Sequence, residues 1–315
     1  MQLSYTQNLE DYHLWQALGA KSPSETSGGF YIDVGAGHPI ADNVSFWFYE
    51  RGWRGICAEP QPNLAGLYKH IRPRDTVFEG LIGRTSGDTD FHIVDRLHGF
   101  STTVETHAKG ARQFGAGYST IKKQIVTLAE LCTRHNVGEI DFLKIDVEGA
   151  EADVLMGNDW QRFRPKIIVA EAILPGSGEP GWGEWEPYIL QQGYEFTLFD
   201  ELNRFYVAKE QTEVLARAPR QRADWNVVTH LDQVGRAPVD DKHPEHTLAG
   251  ELSRGFWASL PTLDHRTLAG LLARARGITS AAGIEALAQT MDTDQFRAAL
   301  GRIACGYDGG QIFDD

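Results

Sequence analysis

The chain has 315 residues, of which 42% are hydrophobic and 23% are charged, a composition typical of a globular protein with a buried core. Its formal net charge of −13 argues against a nucleic-acid-binding protein that relies on a basic face. No window approaches the ~20 apolar residues of a membrane span, and the first residues lack the pattern of a secretory signal. The three cysteines form no C-x-x-C motif, which favours a reducing compartment. Together these features predict a cytoplasmic protein without membrane or nucleic-acid partners.

The strongest local signal is the stretch Gly29–Gly37, which reads GFYIDVGAG. It predicts a buried first strand of an α/β domain that turns sharply at Gly35 and Gly37. A dinucleotide-binding fingerprint would need a third small residue where this chain has Ile40. The acid Asp33 before the first glycine instead favours a turn that binds S-adenosylmethionine (SAM). An ordinary tight turn is the alternative without a ligand.

The elements that follow continue the α/β pattern. Residues 7–18 are expected to form a short amphipathic helix, and 42–52 a second helix that ends at a glycine. A second strand over 55–59 ends in Glu59, 24 residues after Gly35. That spacing is close to the one at which an acid binds the two hydroxyl groups of a ribose.

The middle of the chain is less regular. We predict a third strand over 76–82, an extended segment over 90–94 and a helix over 127–135 whose cap is Thr127. Residues 95–121 show no clear periodicity, and long irregular segments in a compact domain are often functional. We expect this segment to bind the acceptor of a reaction through His98, Ser101 and Thr102.

A second informative stretch covers residues 141–151. It predicts a buried strand that delivers Asp146 and Glu148 at its carboxyl end, followed by a helix. The next strand, 166–170, is also followed by an acid, Glu171. Ligands of open α/β sheets bind beyond the carboxyl ends of the strands, so these acids, with Asp33 and Glu59, should face one crevice. Lys144 within the strand is either a buried partner of an acid or a catalytic lysine.

The last part of the chain changes character. A helix over 184–192 and strands over 195–198 and 204–208 complete the domain, and the short link between the strands makes one of them antiparallel. We therefore divide the chain into a domain at 1–209, a polar linker at 210–245 and a helical extension at 246–315. The extension could be a lid, a docking module or the contact of a homo-oligomer.

Several of these blocks together resemble the FkbM-type SAM-dependent methyltransferases. The resemblance covers about residues 28–209 and is carried by Tyr31–Gly37, Asn43–Ile56 (NVSFWFYERGWRGI), Glu59-Pro60, Leu143–Glu151 (LKIDVEGAE) and Glu171. Ser101-Thr102 and Thr127-Leu128 also lie where the family has such pairs. The resemblance implies a class I methyltransferase fold, with a seven-stranded, mostly parallel sheet that contains one antiparallel strand.

The resemblance also implies the reaction and the residues of the site. Methyl transfer in this family goes mostly to oxygen, on sugars or other natural products, so the expected partner is a small-molecule or glycan acceptor. His38 is a departure, since many members have asparagine there. SAM would be bound by Asp33, Gly35, Ala36, Gly37, Asn43, Glu59 and Pro60.

The base that removes the acceptor's proton is not singled out by the sequence. The candidates are Asp146, Glu148, Glu171 and His38. A divalent cation could replace the base, but Asp146 and Glu148 alone supply too few ligands, so no metal site is expected. Two rival functions are an NAD-dependent oxidoreductase and a catalytically silent SAM-binding scaffold that acts through its helical extension.

Overall fold

The computed structural model describes residues 3–19, 28–94, 101–103, 109–110, 115–174 and 177–310. The chain divides into two compact units, Met1–Leu231 and Asp232–Asp315. The strands are β1 Leu3–Ser4, β2 Phe30–Val34, β3 Arg54–Ala58, β4 Thr76–Phe78, β5 Leu81–Gly83, β6 Gly87–Val94, β7 Tyr118–Thr127, β8 Phe142–Ile145, β9 Ile167–Glu171, β10 Tyr194–Phe199, β11 Asn203–Ala208 and β12 Thr229–His230. The helices are α1 Glu10–Leu18, α2 Phe46–Glu50, α3 Pro62–Ile71, α4 Leu128–Arg134, α5 Glu151–Met156, α6 Glu186–Gln191, α7 Thr212–Arg217, α8 His246–Ser259, α9 His265–Ala275, α10 Ala281–Thr290 and α11 Asp294–Ala304.

The first unit is an α/β fold, as predicted. Seven of the described strands form its main sheet in the order β10-β11-β9-β8-β2-β3-β4. β9, β8, β2, β3 and β4 run parallel, while β11 is antiparallel to both of its neighbours. The first strand of this sheet along the chain is β2, which lies in the middle. β3 and β4 follow on one side of it, and β8 lies on the other side. The strand order therefore reverses between β2 and β8, which is where such sheets bind ligands.

Both faces of the sheet are covered by apolar cores. Ile32 and Val34 of β2 point into one core, and Tyr31 points into the other, because side chains alternate along a strand. Phe142 of β8 stacks on the ring of Tyr31 at a centroid distance of 5.4 Å. Because both faces are buried, the strands read as continuous apolar runs, and a charged residue inside them needs a partner.

The prediction of a single strand over residues 76–82 is wrong. This stretch forms two strands, β4 and β5, which belong to different sheets. The chain turns at Gly80, whose amide donates to the carbonyl oxygen of Phe78 at 3.0 Å. A Cβ at Gly80 would lie 2.5 Å from the Phe78 ring and 2.9 Å from the carbonyl oxygen of Gln124, so a larger residue would have to displace both. β5 then joins β7 and β6 in a second sheet that sequence reasoning did not anticipate.

The second sheet takes in the end of the segment predicted to be irregular. β7 starts at Tyr118 and pairs along its length with β6, from Gly87 opposite Ile125 to Val94 opposite Tyr118. The sequence did not predict the start of β7, because polar and apolar residues alternate only weakly along this strand. The cap prediction for the next helix is confirmed, since the Thr127 side chain accepts a hydrogen bond from the amide of Glu130.

Residues 210–231, part of the polar linker that the sequence predicts, belong to the first unit. β12 pairs in parallel with β1, and α7 packs on α1. Arg217 donates to the carbonyl oxygen of Ala17 at 3.2 Å, and the amide of Ala223 donates to Nε2 of His13 at 3.0 Å. The linker prediction failed because these contacts join residues about 200 positions apart, which a local pattern does not show.

The second unit is helical from α8 to α11. Its core contains Leu260, Leu268, Ala269 and Met291. Side chains of Asp264, Ser280 and Thr293 accept hydrogen bonds from the first turns of α9, α10 and α11. In the described ranges of both units, no helix has the length and apolar character needed to cross a membrane.

Candidate active site

A cavity of about 620 Å³ opens at the carboxyl ends of β2, β3 and β8, at the point where the strand order reverses. One part of its wall is the turn after β2 together with the residues that follow β3. Another part is formed by the acids that follow β8 and the acid that ends β9. The second sheet adds an apolar part with Leu81, Phe91 and Ile125. Its size lies within the ~300–1,000 Å³ of small-molecule sites.

The turn after β2 depends on its glycines. Gly35 has φ +71°, and a Cβ at this position would lie 1.7 Å from the carbonyl oxygen of Asp146. Gly37 has φ +62° but no atom within 4 Å of its Cβ position. The first glycine is therefore required by the fold. The second leaves open space beside the backbone, as a ligand that lies against the main chain would need.

Glu59 ties this turn to the end of β3. Its Oε2 accepts a 2.8 Å hydrogen bond from the amide of Gly37, and Oε1 accepts one of the same length from the amide of Gln61. Burial raises the pKa of Glu59 to about 7, although the two amides and Lys144 act in the opposite direction. Glu59, Ala36 and Pro60 all line the cavity, together with the backbone of the turn.

Asp33 lies behind the turn rather than in the cavity wall. Its side chain is fully buried, and Oδ2 accepts a 2.6 Å hydrogen bond from Ser45 Oγ. Its Oδ1 lies 3.4 Å from Lys144 Nζ. Asp33 can therefore influence a ligand only through the residues that surround it.

Lys144 is a buried ion-pair partner, which is one of the two roles that the sequence left open. Its Nζ donates to the carbonyl oxygen of Gly35 at 2.7 Å and lies 3.4 Å from Asp146 Oδ2. Burial lowers the pKa of Lys144, but Asp146 and Asp33 outweigh it, so the pKa is raised and the ammonium stays charged. One cation thus links the turn after β2 to the acids on both strands.

A second buried cation supports the turn from behind. Arg72 is fully buried and forms a 2.7 Å ion pair with Asp75. It also donates to Oδ1 of Asn43 and to Ser45 Oγ, both at 2.8 Å. Asn43 in turn donates to the carbonyl oxygen of Ala36 at 2.8 Å. The structure therefore places Asn43, a predicted cofactor residue, one layer behind the cavity.

The acids on the other side form a cluster. One carboxylate oxygen each of Asp146, Glu148 and Glu171 lies within 4.8 Å of the others. Burial, and then the charge of Asp146, raise the pKa of Glu148 to about 8. Burial and the neighbouring acids raise the pKa of Glu171 to about 10. Both glutamates therefore retain protons at neutral pH, while Asp146 is paired with Lys144.

Three of the other predicted site residues line the cavity, and two of them also bind backbone amides nearby. His38 lines the cavity, but its Nδ1 accepts hydrogen bonds from the amides of Ile40 and Ala41 at 3.1 and 3.0 Å. Ser101 and Thr102 also line it, and Ser101 Oγ accepts from the amide of Val94. His98 lies outside the described residues.

Sequence reasoning missed several wall residues. Gln7 comes from the chain before α1, Leu202 from the link between β10 and β11, and Phe91 from the second sheet. Nothing in the local pattern marks these residues, because strand pairing and the packing of the first segment bring them to the cavity. The sequence marked only the acids at the carboxyl ends of the strands, next to which these residues lie.

Comparisons with known proteins identify the domain. The model of the Methyltransferase FkbM domain matches residues 33–196, which is about half of the chain. A solved structure of Methyltransferase FkbM from Methylobacillus flagellatus KT is 15% identical, with a TM-score of 0.35. That match covers 60% of this chain and 44% of the other, so this chain spans less than half of that protein's length. The comparison with curated proteins finds no match. On the evidence of the matched domain, the chain belongs to the FkbM methyltransferase family.

Proposed function

We propose that the protein is a SAM-dependent methyltransferase that methylates a hydroxyl group of a sugar or another natural product. The observation that carries this proposal is the arrangement of the cavity. A glycine turn and Glu59 lie at one part of its wall, and three clustered carboxyl groups lie at another. A methyltransferase needs both parts, one for the methyl donor and one for the acceptor.

The wall residues fit a nucleoside cofactor. The backbone beside Gly37 is open, and Gly35 to Gly37, Glu59 and Pro60 are the residues that would hold SAM. Each oxygen of Glu59 accepts one amide hydrogen bond and has capacity for another, so the carboxylate can still bind two ribose hydroxyls. When bound, SAM supplies a methyl group on a positively charged sulfur.

We assign Asp146 as the general base. Methyl transfer is an in-line displacement, so the wall residues must chiefly align the acceptor oxygen. Glu148 and Glu171 hold protons at neutral pH because their pKa values are raised. Asp146, beside the Lys144 ammonium, is the member of the cluster that can accept the hydroxyl proton. The two protonated glutamates can donate hydrogen bonds to the acceptor.

A divalent cation is the alternative to the base. The three carboxyl groups offer the oxygen ligands that Mg²⁺ prefers. The Lys144 ammonium, 3.4 Å from Asp146 Oδ2, would repel the cation. We therefore favour the base.

Calorimetric titration with SAM and with NAD, followed by a labelled-methyl assay, tests the proposal. We expect SAM to bind and NAD not to bind. Glu59→Ala should weaken SAM binding by ~10- to 100-fold, since it removes charge-assisted hydrogen bonds and loosens the turn. Arg220→Ala, on the exposed surface, is the matched control. Binding of NAD alone would replace this proposal with an oxidoreductase.

A further inference from the structure

The chain before α1 contributes to the cavity wall through Gln7. This segment precedes the part of the chain that matches the family model, which starts at residue 33. What it adds to the site therefore lies outside the matched part of the chain. Its role rests on the function proposed above.

The backbone around Gln7 is held by buried acids. Asp11 is fully buried and accepts hydrogen bonds from Ser4 Oγ and from the amide of Tyr5, both at 2.8 Å. Glu10 Oε2 accepts from the amide of Asn8 at 2.8 Å. These contacts hold the backbone on both sides of Gln7 in place.

The turn is fastened to both neighbouring parts of the site. Asn203 donates a 2.7 Å hydrogen bond to Glu10 Oε1, and Asn203 is paired with Glu171 in the ladder between β11 and β9. On the other side, the carbonyl oxygen of Tyr5 accepts the amide hydrogen of Asn43 at 3.0 Å. These contacts hold the Gln7 turn at the edge of the cavity, between the strand that carries Glu171 and the residues behind the turn after β2.

Gln7 differs from its neighbours in having an uncommitted side chain. It is exposed, and its amide makes no hydrogen bond to any residue in the described ranges. A primary amide offers two donors and an acceptor, which suits a hydroxyl-bearing molecule. We propose that Gln7 is a specificity residue that binds a second hydroxyl of the acceptor while Asp146 takes the proton of the reacting one.

Steady-state kinetics with methyl α-D-glucopyranoside, methyl α-L-rhamnopyranoside and a hydroxylated macrolactone test this role. With the best of these acceptors, Gln7→Ala should raise KM by ~3- to 10-fold, the worth of one neutral hydrogen bond, and leave kcat within ~2-fold. The affinity for SAM should not change. Gln16→Ala, an exposed glutamine on α1 away from the cavity, is the matched control. An unchanged KM, or a loss of SAM affinity, would overturn the proposal.

A chemical experiment tests the position of Gln7 without turnover. In a Gln7→Cys, Cys305→Ser variant, iodoacetamide should alkylate the introduced thiol, since Cys57 and Cys132 are buried. S-adenosylhomocysteine should leave the rate within ~2-fold, because the thiol faces the acceptor space. Strong protection by S-adenosylhomocysteine would make position 7 a cofactor contact and overturn the proposal. If no acceptor is methylated while SAM binds, the acceptor class proposed above fails, and the alkylation rate still decides whether position 7 contacts the cofactor.

Discussion

The carbonyl oxygen of Asp146 lies 1.7 Å from the point where a Cβ at Gly35 would be. The turn after β2 and the end of β8 therefore touch through their backbones. This contact joins the turn proposed to hold SAM to the strand that carries the proposed base. It also explains why a glycine is required at Gly35 for reasons of packing, independent of any ligand.

Gly35→Ala and Gly37→Ala should behave differently. Both residues have positive φ, which costs an alanine ~1–2 kcal/mol. Only Gly35→Ala also forces a clash with backbone, so we expect it to lower the free energy of unfolding by more than ~3 kcal/mol. Gly37→Ala should stay folded and weaken SAM binding, because its methyl group enters open space in the cavity. Urea unfolding and calorimetry measure the two effects, and equal stability of the two variants would contradict this account.

Lys144→Met should destabilise the protein by ~3–5 kcal/mol, because it leaves the fully buried Asp33 without its cation. Asp33→Asn in the same chain should restore part of that loss, since the uncompensated charge is gone. Chemical denaturation of the two single variants and the double variant measures the coupling. Additive effects would show that the pair does not interact.

Asp146→Asn should lower turnover by a factor of ~10²–10⁴, the usual worth of a general base. SAM affinity should change far less, because the charge acts on the acceptor in the transition state. Glu139→Gln, at the opposite end of β8 and exposed, is the matched control. Intact turnover with poor SAM binding would make Asp146 a cofactor contact and move the base to Glu171 or His38.

Removal of metal ions separates a base from a cation site. Enzyme treated with a chelator should keep its full rate if Asp146 acts as the base. A rate that falls and returns when Mg²⁺ is added would show that Asp146, Glu148 and Glu171 hold a cation instead. Direct titration of the protein with Mg²⁺ by calorimetry provides a readout that does not depend on an acceptor.

Stability should decrease as the pH rises from 6 to 9. Burial raises the pKa of Glu59 and Asp11 to about 7, of Glu148 to about 8 and of Glu171 to about 10. The folded state therefore binds more protons than the unfolded state in this window, and the stabilisation is lost as each folded-state pKa is passed. We expect Tm to fall by ~5–10 °C, and by less in Glu171→Gln. A Tm that rises between pH 6 and pH 9 would show that these carboxyl groups do not have raised pKa values in the folded protein.

Truncation tests the boundary of the first unit. A chain of residues 1–231 should unfold cooperatively and bind SAM like the full protein. A chain of residues 1–209 should be less stable by at least ~2 kcal/mol, because it lacks the buried side chains of Val214 and Val228 and the pairing of β12 with β1. Urea unfolding compares the two. Equal stability would mean that residues 210–231 add nothing to the fold.

The sequence by itself predicted the parts of this protein that depend on short-range patterns. The strand Phe30–Val34 was recognisable because a mostly apolar run precedes a glycine turn, and the cap at Thr127 because Glu130 follows at the right spacing. The positions of Glu59 and Asp146 at strand ends followed from the same logic. Each of these features depends on residues a few positions apart, so it can be recognised without knowledge of the rest of the chain.

Tertiary structure alone decided which of these residues face the cavity. Asp33 looked like a ligand residue in the sequence, but its burial against Lys144 and Ser45 makes it a support. Gln7 looked like an ordinary polar residue, and the packing of the first segment against Asn203 brings it into the wall. The physical reason is the same in both cases: solvent exposure depends on contacts with residues far away in the chain, such as Lys144 for Asp33 and Asn203 for the first segment, and the sequence pattern near a residue does not record them.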